Sequence, residues 1–162
     1  MRKLILLFLF SLSFGQLVLN NNIVMITEVG GYAIKLTNKT GGASIKGTIA
    51  HPYYTAAVDN AFDLVPDDEP DQIGVVYGSG VADGSECWVV INGCAEIYFE
   101  AAVTRGEFAR SQVAADGGTV GYAIAEAAPS SPFATDKHFQ ELGHVIQTTG
   151  GAGLAKCILH TN

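Results

Sequence analysis

Glu86-Cys87-Trp88-Val89-Val90-Ile91-Asn92-Gly93-Cys94-Ala95-Glu96-Ile97-Tyr98-Phe99-Glu100 decides how this chain is read. Alternating β-branched and aromatic residues flank Asn92-Gly93, the dipeptide preferred by a two-residue type I′ turn because both of its central residues need positive φ. The stretch therefore predicts a β-hairpin with Ile91 facing Cys94, Val90 facing Ala95 and Trp88 facing Ile97. One hairpin face, Trp88, Val90, Ala95, Ile97 and Phe99, is wholly apolar. The other is mixed, with Glu96 and Tyr98. A domain of short antiparallel strands follows, with the single Trp turned to the core.

The same alternation extends in both directions. Tyr32, Ile34 and Leu36 alternate with Ala33, Lys35 and Thr37, so the strand pattern begins at Tyr32. Asn38-Lys39-Thr40-Gly41-Gly42 breaks it, and residues 44–50 resume it with Ile45 and Ile49. Residues 51–71 are the least regular. Further strands are expected over 60–65, 73–77, 107–113, 120–125, 141–147 and 154–160, with a short helix around 135–140. About nine short strands with Gly-containing turns predict a mainly β fold, a single small β-barrel or sandwich.

Composition narrows the function. Of 162 residues only 15% are charged while 48% are hydrophobic, a thin charge coat that suggests surface covered by other subunits. Nine Lys and Arg against a net charge of −7, with no basic run, leave little to neutralise a phosphate backbone. No nucleic acid is expected as a partner. In the hairpin register Cys87 and Cys94 lie about four residues apart along the strands, roughly 13 Å, beyond the reach of a disulfide. The three Cys read as buried free thiols.

Residues 1–24 stand apart from a β domain over 25–162. Met1-Arg2-Lys3 precedes an apolar run over 4–14 broken by Ser11 and Ser13, and Gly15 could precede a cleavage. Three readings are open: a secretory signal peptide, a start over-extended ahead of Met25, or a structural strand. The run is too short to span a membrane, and no membrane contact is expected of the mature form. The part from Met25 onward is expected to fold alone.

Candidate chemistry is sparse. His138 and His144 are six residues apart, not the spacing of H-E-x-x-H on a helix, and on a strand would sit about 20 Å apart. His144 reads instead as a semi-buried residue between Leu142 and Ile146. Asp67, Asp68, Glu69 and Asp71 form an acidic loop without the spacing of an EF-hand. Residues 78–84 carry Gly78, Gly80 and Gly84 but not G-x-G-x-x-G, and strands follow them. No Ser sits in a G-x-S-x-G elbow. Asn38-Lys39-Thr40 is a glycosylation sequon, relevant on a eukaryotic secretory path. Tyr53 and Tyr54 could be an exposed aromatic contact or pack onto the domain. No catalytic residue, cofactor or metal site is assigned.

A resemblance adds to this. Gly31-Tyr32-Ala33-Ile34-Lys35-Leu36-Thr37-Asn38-Lys39-Thr40-Gly41, Ser44-Ile45-Lys46-Gly47-Thr48 and Asp59-Asn60-Ala61-Phe62 open the likeness. Ile73-Gly74-Val75-Val76, Gly80-Val81-Ala82-Asp83-Gly84-Ser85, Thr104-Arg105-Gly106, Glu141-Leu142-Gly143-His144-Val145 and Ile158-Leu159-His160-Thr161-Asn162 complete it. In this order the chain resembles small phage virion proteins encoded among head genes and, more loosely, capsid-decoration proteins. The resemblance implies a non-enzymatic structural protein of the virion that stabilises the capsid by protein–protein contact. Its partners would be the major capsid protein or other virion subunits and further copies of itself, as a homotrimer. A working signal peptide would favour the alternative, a secreted or surface β-barrel binding module. An enzyme using His144 or the acidic loop is the third reading.

Overall fold

Asn92 and Gly93 do not turn the chain. In the computed structural model, which describes residues 23–55, 58–66, 71–111, 118–127 and 141–160, they lie inside one long strand. The described strands are β1 (Val24–Ile26), β2 (Gly31–Asn38), β3 (Ile49–Pro52), β4 (Ala61–Leu64) and β5 (Gly74–Val76), then β6 (Glu86–Phe99), β7 (Phe108–Ser111), β8 (Ala123–Glu126), β9 (Glu141–Val145) and β10 (Gly153–Leu159).

The hairpin gives way to a bulge, and the pairing with β2 shows why. Tyr32 lies opposite Asn92 but Ala33 lies opposite Val90, so Ile91 is an extra residue on β6. Gly93 takes φ +80° beside it, and a Cβ there would sit 2.8 Å from the Gly30 carbonyl oxygen. A bulge and a tight turn thus ask for the same glycine. Both also shift the alternation by one residue. Trp88 and Val90 before the break and Ala95, Ile97 and Phe99 after it therefore share a face in either geometry. That face is the core, as expected: Val90, Ala95, Ile97 and Phe99 are buried and Trp88 packs against them half-buried. On the opposite side of the first half of β6, Cys87 and Val89 join Ala50, Phe62 and Val76 in a second cluster.

β6 organises the sheet. Along its first half it pairs with β2 and β5, along its second half with β10, and at Phe99 with Ala123 of β8. The ten strands form one mixed sheet in the order β1-β2-β4-β3-β5-β6-β10-β9-β7-β8. Its parallel pairs are β2–β4 and β6–β8. This mainly β architecture is consistent with a β-sandwich, with additional β2–β6 and β6–β8 pairings across the order.

Two strand expectations also shift. The strand expected over 44–50 starts only at Ile49, because residues 44–48 are held as a turn by Thr48 Oγ1 donating to the Ile45 carbonyl and Ser44 Oγ to that of Gly78. Strand pairing begins before Tyr32: β1 lies antiparallel to β2, Val24 opposite Ile34 and Ile26 opposite Tyr32, and Met25 packs on the core. The inward residue of β2 there is the fully buried Ala33, whereas Tyr32 is half exposed. The helix expected around 135–140 lies outside the described residues.

All three cysteines are free, Cys87 and Cys157 buried and Cys94 half-buried. Cys157 pairs with Ala95, and Cys94 with Ile158, so Cys94 and Cys157 point to opposite faces of adjacent strands. Burial, with a smaller push from Cys94, raises the Cys157 thiol from an ordinary 9.0 to about 12. In the unfolded chain that thiol ionises near pH 9, while in the fold it stays neutral. Its contribution is therefore fully present below pH 9 and declines by about 1.4 kcal/mol per pH unit up to its folded value. Urea unfolding of the wild type and Cys157→Ala at pH 8 and 10.5 is expected to show an alkaline loss about 2 kcal/mol smaller in the variant.

Candidate functional site

Chemistry-bearing side chains gather where β9 meets the end of β10. Against β7, Ala109 pairs with Gly143 but Arg110 with Glu141, so Leu142 is an extra residue on β9. In a regular strand residues three apart point to opposite faces; this bulge brings Glu141 and His144 to one side. Gly143 lets β9 approach β10, since a Cβ there would fall 2.1 Å from the Ile158 carbonyl oxygen. His160 follows β10 directly and its backbone N–H donates to the Leu142 carbonyl at 3.3 Å.

Glu141 Oε1 then lies 3.0 Å from His160 Nε2 and 3.3 Å from His144 Nε2. The two imidazole rings are 5.1 Å apart. The Glu141 side chain is only 9% exposed, against 34% for His160 and 55% for His144. A nearly buried carboxylate thus faces two imidazoles that open to solvent. His144 is exposed and not semi-buried as expected, because Leu142 and Val145 take the inward positions. Its sequence neighbour His138 lies outside the described residues. His160 is the residue that sequence reasoning missed: no local spacing links it to Glu141, and only the β9–β10 register brings them together.

The other candidates resolve differently. The amides of the 78–84 loop are taken by neighbouring chain: Gly80 N–H donates to the Ser44 carbonyl, Val81 N–H to Ser44 Oγ and Gly84 N–H to the Asn38 carbonyl. These bonds latch the loop to Asn38 and Ser44. Asn38 of the sequon is fully buried, its amide donating to the carbonyls of Gly42 at 2.9 Å and Val81 at 2.8 Å while its Oδ1 accepts from the Thr40 N–H. A glycan has no access to it in the fold. Asp67, Asp68 and Glu69 lie outside the described residues, and Asp71 accepts a hydrogen bond from the exposed Tyr54. Arg110, nearly buried, holds Glu126 through Nε at 2.8 Å as a link between β7 and β8.

A second surface lies at the other end of the strand order. Ile26 and Tyr32 are direct partners across β1 and β2 and are 55% and 52% exposed. Val24 and Ile34 continue that outward face, and Ile23 beside it is exposed. β1 has no second partner strand among the described residues. Beside it opens a groove of about 420 Å³ lined by Ile23, Ile34, Leu36, Asp59, Asn60 and Glu86.

No protein-family model and no curated protein matches this chain. The likeness to phage virion proteins therefore rests on the residues quoted for it.

Replacing Asn38 by Asp puts a carboxylate against two carbonyl oxygens and removes the donor they share. Asn38→Asp is expected to cost about 2 kcal/mol or more, read as a lower urea midpoint with unchanged slope.

Proposed function

We propose that the chain is a non-enzymatic structural protein of a phage virion, acting by contact with capsid subunits and with further copies of itself. The observation that carries the contact role is the outward apolar face of Val24, Ile26, Tyr32 and Ile34 on the end strands of the sheet formed by the described residues. Soluble monomers rarely leave a contiguous apolar patch on a strand edge, since its free N–H and C=O groups template pairing with another chain. The charged fraction of 15% points the same way. Assignment to the virion rests on the sequence resemblance, and the homotrimer on the looser likeness to decoration proteins. A strand or hairpin edge from a neighbouring subunit would add to β1 through main-chain hydrogen bonds, with the apolar side chains of β1 and β2 covered beneath it.

Sedimentation velocity at micromolar concentration, followed by co-sedimentation with capsids, tests this. The wild type is expected to self-associate and to pellet with capsids. Ile26→Lys, a charge on an exposed edge position, is expected to shift it to monomer and weaken capsid binding at least about tenfold with the fold intact. A strictly monomeric wild type that ignores capsids and binds a peptide or glycan would overturn the proposal in favour of a secreted binding module.

A further inference from the structure

We infer that Glu141, His144 and His160 form a zinc site that ties the start of β9 to the end of β10. Among the described residues these side chains offer one carboxylate oxygen and two imidazole nitrogens, all within 4.8 Å of one another. Zinc takes this donor set at bond lengths of about 2.0–2.1 Å in a tetrahedron, which places ligand atoms about 3.3 Å apart. The distances from Glu141 Oε1, 3.0 Å to one Nε2 and 3.3 Å to the other, match two edges of that tetrahedron.

Three further features bear on this site. The bulge at Leu142 turns Glu141 and His144 to one side and at the same step lets Leu142 and Val145 both face the core. The carboxylate is nearly buried while both imidazoles are more exposed, 34% for His160 and 55% for His144. A net charge of −7 favours approach of a cation. The sequence reading paired His144 with His138, whereas the third donor of this cluster comes from the next strand. Two nitrogen donors select zinc over magnesium or calcium, which prefer all-oxygen sites.

The test uses the full chain without an affinity tag, stripped with chelator and dialysed against micromolar Zn²⁺, with metal content by elemental analysis and affinity by competition with a chromophoric chelator. One zinc per chain is expected, with a raised Tm, and millimolar Mg²⁺ should not displace it. His144→Ala, at an exposed position, and His160→Gln should each weaken binding at least about tenfold. Circular dichroism of both variants in chelator should match the wild type. Zinc below about 0.1 per chain, or an affinity that neither variant changes, would overturn the site and leave Glu141 as a hydrogen-bond acceptor for histidine. Neither result bears on capsid contact, which is read at β1.

Discussion

A single inserted residue, Ile91, governs this fold. Strand alternation allows one apolar set per face, and a 14-residue strand with its apolar residues at 88, 90, 95, 97 and 99 would turn the two halves of that set to opposite faces. The bulge at Ile91, with Gly93 at positive φ, brings them back to one face. β6 can therefore run the length of the domain as one core strand, with β2 and β5 along its first half and β10 along its second. Without the bulge, Ala95, Ile97 and Phe99 would face away from the buried cluster that now holds them with Ile49, Val75, Ala109 and Ala155. The second cluster, around Phe62 and Val89, depends on the same strand because it packs on the other side of its first half.

The legible part of the fold was its alternation. Period-two patterning located most of the strands and put the right residues of β6 in the core. Its failure at Asn92-Gly93 has a physical cause: a two-residue turn and a one-residue bulge want the same glycine and produce the same parity shift, so side-chain pattern alone does not separate them. What separates them is the partner, and β2 and β10 meet at Gly93 from distant parts of the sequence, opposite Gly31 and Leu159. Residues 44–48 look strand-like because Ile45 and Ile49 fall on one face of a period-two pattern, yet Thr48 bonds back to the Ile45 carbonyl and holds a turn that Ser44 ties to distant Gly78. The Glu141 cluster was illegible for the reason the hairpin was misread. Its third member is supplied by strand register, and its second is aimed by another bulge.

The apolar β1 edge and the Glu141 cluster sit apart in the strand order. Among the described strands β1 stands at one end, offering an apolar edge with an open groove beside it. β9 and β10 lie on the far side of β6 and carry the carboxylate and imidazoles. Between them the loops that looked available for chemistry are engaged in holding the fold: the sequon Asn38 clamps Gly42 and Val81, and the Gly-rich 78–84 loop gives its amides to Ser44 and Asn38.

The account depends on β6 being one strand, and a distance across it tests that most directly. Spin labels at Glu86 and Glu100, introduced as cysteines in a Cys94→Ser background, report the length of the stretch by pulsed electron resonance. A continuous strand places the two backbones on the order of 40 Å apart, since each residue advances about 3.3 Å. A hairpin turning at Asn92-Gly93 would bring them within about 10 Å and contradict the bulge, the shared core face and the sheet built on them.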